Sequence, residues 1–119
     1  MGEIPADVRR MSELLRPRVG EWARQALMVT LGRRGALLVA DAGAWYAPAL
    51  RVPVVSPAGA GDASTAGLLL ARRQGRPWPE ALSLGTACAA ATVMDESTSA
   101  CPRDRVENLL PQVAVHSIA

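Results

Sequence analysis

The spacing of apolar residues changes several times along the chain, and each change predicts an element. From Pro5 to Arg16, Val8, Met11 and Leu15 recur at helical spacing; Pro5 and Asp7 suit a first turn, and Pro17 closes the segment. A short helical stretch is expected from Trp22 to Gln25. Leu27 to Leu31 is too short for a helix and rich in β-formers, so it reads as a buried strand. Turns at Gly32-Arg33-Arg34-Gly35 and Asp41-Ala42-Gly43 separate it from strands at Ala36–Ala40 and Trp45–Ala47, which predicts antiparallel hairpins. Arg51 to Val55 reads as a fourth strand. Beyond it, Ala63, Ala66, Gly67, Leu70 and Ala71 repeat at i, i+3, i+4, i+7 and i+8, the stripe of an amphipathic helix whose small residues allow close approach to a sheet. Arg72, Arg73 and Gly75 supply its basic last turn and stop. Leu84, Ala87, Cys88 and Ala91 mark a helix from Glu80 to Met94, and a polar loop spans Asp95 to Pro102. A last helix from Arg103 to Leu110 and a terminal strand at Val113–Val115 complete an α/β order.

Composition narrows this picture. A chain of 119 residues supports one small core, and with three Trp, one Tyr and no Phe that core must be Ala, Leu and Val in close packing. The net charge of +2 is weak, and Arg9-Arg10, Arg33-Arg34 and Arg72-Arg73 fall in separate elements with no aromatic platform beside them, which argues against nucleic-acid binding. Cys88 and Cys101 lack C-x-x-C spacing, and the lone His116 does not complete a zinc site with them. No resident metal site is expected. There is no membrane-length apolar run and no signal-like amino terminus, so the reading is a soluble cytoplasmic protein with reduced thiols.

Chemistry concentrates at Ser56-Pro57-Ala58-Gly59-Ala60-Gly61-Asp62, a glycine-rich loop opening a helix. Helix N-termini present unsatisfied N–H groups and partial positive charge, and glycines let an anion approach the backbone. The loop is not a Walker motif, because the chain has no Lys to reach the phosphates. Nor is it a dinucleotide fingerprint, since Ser64 occupies the third glycine position. Asp62 has two readings at this point: an ordinary N-cap, or a carboxylate that orients and deprotonates an attacking hydroxyl.

The segment Val55-Ser56-Pro57-Ala58-Gly59-Ala60-Gly61-Asp62-Ala63-Ser64-Thr65-Ala66-Gly67 resembles the carboxy-terminal signature of the ribokinase/PfkB family of ATP-dependent sugar kinases. Val29 to Val39 resembles the strand-turn-strand preceding that signature, and Gly85 to Thr92 the small-residue helix following it. The resemblance implies the carboxy-terminal part of a ribokinase-like α/β fold, a central sheet with antiparallel hairpins and flanking helices. Residues 1–119 would form a single partial domain carrying the nucleotide-binding portion, without the amino-terminal acceptor-binding part and lid.

By the same resemblance, Asp62 is the catalytic base, and the amides of Gly59, Ala60 and Gly61 form the anion hole. Thr30 and Gly32 would line the ATP phosphates, and Thr86, Ala89 and Ala90 fall where the family wraps adenine. Mg²⁺ would be held through the phosphates. Ser-Pro before the signature and Ser-Thr after Ala63 point to the phosphosugar branch, phosphofructokinase-like or tagatose-phosphate-kinase-like. The usual Gly-Thr after the adenine-side helix is replaced by Ser97-Thr98, preceded by Asp95-Glu96. The implied activity is phosphoryl transfer to a hydroxyl of a sugar or sugar phosphate, incomplete in this chain alone. The alternatives are a non-catalytic nucleotide-binding module, or a structural remnant acting as a homo-oligomer or with a complementing amino-terminal half.

Overall fold

The computed structural model describes residues 4–94 and 101–118. Its elements are α1 (Ala6–Leu15), β1 (Ala26–Thr30), β2 (Ala36–Ala40), β3 (Gly43–Ala47), α2 (Ala60–Arg73), α3 (Trp78–Val93), α4 (Arg103–Leu109) and β4 (His116–Ile118), with 3₁₀ turns at Arg16–Arg18, Gly32–Arg34 and Leu110–Gln112. The strands form one antiparallel sheet in the order β1-β2-β3-β4. Ala26 pairs with Ala40 and Thr30 with Ala36; Ala36 pairs in turn with Ala47, and Tyr46 with His116.

Strand alternation sorts the side chains into two apolar layers. Leu27, Val29, Leu37, Val39, Ala44 and Tyr46 share a cluster with Val8, Met11 and Leu15 of α1. On the opposite face, Ala26, Met28, Ala36, Leu38, Trp45 and Ala47 meet Leu68 and Ala71 of α2 and Ala81 and Leu82 of α3. Helices thus cover both faces, and every residue of β2 is buried. Leu37 and Leu38, adjacent in sequence, each lose all solvent exposure in opposite layers, a burial that stabilises the fold by roughly 2 kcal/mol per side chain. A third cluster joins Ala87, Ala90 and Ala91 of α3 to Val106 and Leu109 of α4.

Several sequence expectations are corrected. Trp22 to Gln25 is not helical: Trp22 N–H donates to the Arg18 carbonyl at 2.8 Å, and Val19 bridges Ala23 in a tight turn. Arg51 to Val55 is irregular. Pro53 removes a donor there, and the Val55 N–H is captured by the Val93 carbonyl at 2.7 Å rather than by a strand. The terminal strand lies at His116–Ile118 instead of Val113–Val115, because Val113 and Val115 are taken up by the helix-side cluster. Arg72 does have an aromatic neighbour, its guanidinium lying 3.9 Å from the Trp78 ring centre. Arg34 is exposed but pairs with Asp7 at 2.7 Å. The features expected at Asp95-Glu96 and Ser97-Thr98 lie outside the described residues.

Two interior glycines set the approach of α2 to α3. A Cβ added at Gly85 would stand 2.6 Å from the Ser64 carbonyl oxygen; one added at Gly67 would stand 2.9 Å from both Cys88 Sγ and Gly85 Cα. The expected stripe of α2 is therefore split: Gly67 meets the neighbouring helix, Ala71 joins Leu68 against the sheet, and Ala66 and Leu70 are exposed.

Candidate active site

The glycine-rich loop is fastened to the end of α3. The N–H groups of Val55 and Ser56 both donate to the Val93 carbonyl, at 2.7 and 3.1 Å. Ser56 Oγ then accepts the Ala58 N–H at 3.3 Å. Gly59 follows as the N-cap of α2 with φ 84°, in the left-handed region where a Cβ is disfavoured.

The fate of each donor is specific. The Ala60 N–H makes a long contact of 3.4 Å to the Pro57 carbonyl, whereas the N–H groups of Gly59, Gly61 and Asp62 have no backbone acceptor among the described residues. At Gly61 an added Cβ would meet nothing within 4 Å, so the side of the helix start at this residue is open. Unsatisfied donors, a helix N-terminus and an absent side chain together suit an anion. Asp62 stands in the first turn of α2, exposed, and makes no side-chain capping bond. The capping reading of Asp62 therefore fails, because Gly59 holds the cap position. The carboxylate has no ion-pair partner among the described residues.

The remaining candidate positions are distributed over β1, its following turn and α3. Thr30 is exposed at the end of β1, and Gly32 is exposed in the turn beyond it. Met28, on the same strand face as Thr30, meets α2 near the loop: Ser64 Oγ donates to Met28 Sδ at 3.9 Å. Thr86 is buried, and its hydroxyl donates to the Leu82 carbonyl at 2.9 Å, so that donor is already engaged inside α3. Ala89 is half-buried, and Ala90 is buried in the cluster shared with α4. The loop is thus joined to the last turn of α3, one turn beyond Ala89 and Ala90, while Thr86 lies deeper. A depression of about 500 Å³ is lined by Met94, Pro102, Asp104, Arg105, Asn108 and Leu109. None of these belongs to Gly59–Asp62.

Sequence reasoning missed Val93 as the anchor of the loop and Gly85 as the partner of Gly67. A backbone carbonyl leaves no sequence signal. Gly85 did leave one, since a glycine inside a helical pattern costs roughly 1 kcal/mol relative to Ala and calls for a packing reason.

A sheet with helices on both faces, and a glycine-capped helix with unpaired amides beside a carboxylate, define an α/β protein with one concentrated polar loop. Residues 9–105 match the pfkB family carbohydrate kinase profile, and the chain belongs to that family. It is 41% identical over 91 residues to a 1-phosphofructokinase of Haloferax volcanii, an alignment covering 76% of this chain and 28% of the relative. It is 41% identical over 71 residues to the aminoimidazole riboside kinase of Salmonella typhimurium, covering 56% of this chain and 22% of the relative. The fold is that of Escherichia coli phosphofructokinase-2, whose crystal structure superposes with a TM-score of 0.78 at 24% identity, over 92% of this chain and 35% of that one. The chain spans about a quarter of the length of these curated relatives. No helix among the described residues is long and apolar enough to cross a membrane.

Proposed function

We propose that this chain is the nucleotide- and phosphoryl-binding portion of an ATP-dependent kinase that transfers a phosphoryl group to a hydroxyl of a sugar or sugar phosphate. One observation carries the reading: the free amides of Gly59 and Gly61 and the exposed carboxylate of Asp62 share a single turn. In this role the amides of Gly59, Ala60 and Gly61 stabilise charge on the transferring group, Ala60 by giving up its long contact to Pro57. Asp62 orients the acceptor hydroxyl and receives its proton. The role suits a loose transition state, in which positioning of the acceptor matters more than base strength. Thr30 and Gly32 would face the ATP phosphates, and Ala89 and Ala90 the adenine side. Thr86 would contribute shape rather than its hydroxyl, which Leu82 already holds.

Mg²⁺, carried on the ATP phosphates, would supply charge neutralisation. The two relatives differ in acceptor by name, a phosphofructose in one and an aminoimidazole riboside in the other. The residues flanking the signature favour a phosphosugar here. The acceptor site and lid would come from further polypeptide, within a longer chain or from a partner. This is supported by β1, which pairs on one side only among the described residues, and by the exposure of Leu69 and Leu70 on α2. The setting we infer is cytoplasmic, without nucleic-acid or membrane partners.

Calorimetric titration of Mg·ATP into this chain tests the reading. Saturable heat that Gly61→Val weakens and Asp62→Asn preserves is expected. Absence of heat at millimolar ATP, or binding indifferent to Gly61→Val, overturns a nucleotide site at this loop. Should ATP bind while Asp62→Asn leaves phosphoryl transfer untouched in the assembled enzyme, the chain is a non-catalytic nucleotide module.

A further inference from the structure

Both cysteines of the chain carry free thiols, and neither has a part in the site described above. Thirteen positions apart in sequence, they meet in the fold. Cys101 lies exposed just before α4, and its thiol donates to the backbone carbonyl of Cys88 at 3.7 Å. Cys88 itself is half-buried on α3, with its sulfur directed at the α2–α3 crossing, where a Cβ on Gly67 would come within 2.9 Å of it.

We propose that Cys88 and Cys101 form a reversible dithiol–disulfide pair, oxidised by hydrogen peroxide, that fastens the start of α4 to α3 beside the α2 crossing. The order of events follows from exposure. The Cys101 thiolate attacks a peroxide oxygen; an S–O bond forms, the O–O bond breaks, and the departing hydroxide takes up a proton as water. The Cys88 sulfur then attacks the Cys101 sulfur. An S–S bond forms, the S–O bond breaks, and the Cys88 proton leaves with the hydroxide as a second water. Two thiols lose two electrons in all, and one peroxide is reduced to two waters. Burial, with the neighbouring Cys101 second, raises the Cys88 thiol to about 12, which keeps it protonated and leaves the exposed thiol to react first. Cys101 is exposed and sits outside helix and strand, so no regular backbone pairing holds it in place. The inference stands on the thiols and does not depend on the kinase reading.

The test treats the 119-residue chain with a modest excess of hydrogen peroxide, then measures intact mass and maps the peptides without reduction. The expected result is a monomer lighter by two hydrogens, a Cys88–Cys101 cross-linked peptide, and recovery of both thiols with dithiothreitol. A short loop closed by a disulfide also raises the melting temperature, here by about 10 °C relative to the reduced chain. Cys101→Ser and Cys88→Ser should each abolish the mass loss and the melting shift. Peptide mapping of the wild-type chain keeps the test decisive if Cys88→Ser fails to fold. Oxygen adducts accumulating on Cys101 with Cys88 still free, or dimers linked through Cys101, would overturn the pairing.

Discussion

At Gly85 an added Cβ would stand 2.6 Å from a backbone carbonyl; at Gly61, in the first turn of the preceding helix, it would meet nothing within 4 Å. The two positions belong to one sequence pattern of Gly, Ala and Ser, yet one glycine exists to let helices touch and the other to leave space empty. Small residues in this chain therefore report close approach, without saying whether the approaching atoms are the protein's own. The crossing of α2 and α3 is closed by Gly67, Gly85 and Ser64. The loop before α2 is the same device left open, with donors that no carbonyl takes up.

Substitutions can separate the two regions. The largest effect is expected from Asp62→Asn in the assembled enzyme, a loss of phosphoryl transfer of about 10²- to 10⁴-fold. The melting temperature should stay unchanged, because the carboxylate is exposed and caps nothing; a drop in melting temperature would place Asp62 with the structural residues instead. Next, Gly85→Ala should destabilise the fold by about 2 kcal/mol net of the better helix propensity of Ala, read from urea unfolding. Gly67→Ala should cost about 1 kcal/mol, since part of its clash is with the movable Cys88 side chain. A neutral Gly85→Ala would show that the crossing can open and would erase the contrast. Gly61→Val should change stability by less than about 1 kcal/mol while weakening Mg·ATP roughly tenfold, by side-chain intrusion over the amides.

The smallest effect concerns Asp7. The hydrogen bond from Arg34 holds its carboxyl below the ordinary value of 3.8. A depressed folded value means that the pair's stabilisation is present above that ordinary value and fades as pH falls through the folded one. Both partners are exposed, so the contribution is minor. A carboxyl titration by NMR should show Asp7 moving up toward 3.8 in Arg34→Ala; an unmoved value would mean that Arg34 does not set it.

Much of this was legible because local rules and tertiary demands agreed. The hairpins from β1 to β3 follow from short β-forming runs separated by glycine turns, and α2 from its stripe and basic last turn. The expectations failed where local pattern was ambiguous. Trp22 to Gln25 is too short to hold a helix against the competing turn that Arg18 and Val19 close. Val52, Val54 and Val55 have strand propensity but no strand to pair with in the described sheet. Arg72 and Trp78 found one another only because the chain reverses between α2 and α3.

The sequence by itself determined which residues are small, charged or reactive, where the turns fall, and that Gly59–Asp62 would open a helix. Those properties reside in side chains and in the torsional preferences of neighbouring residues. Only the tertiary structure decided that Gly59 and not Asp62 is the cap, that Gly85 faces Ser64, that Thr86 spends its hydroxyl on Leu82, and that Cys101 reaches Cys88. Each of those outcomes depends on which backbone group or side chain arrives within a few ångströms through packing, and that is fixed by how α2, α3 and the sheet bury their shared apolar surface.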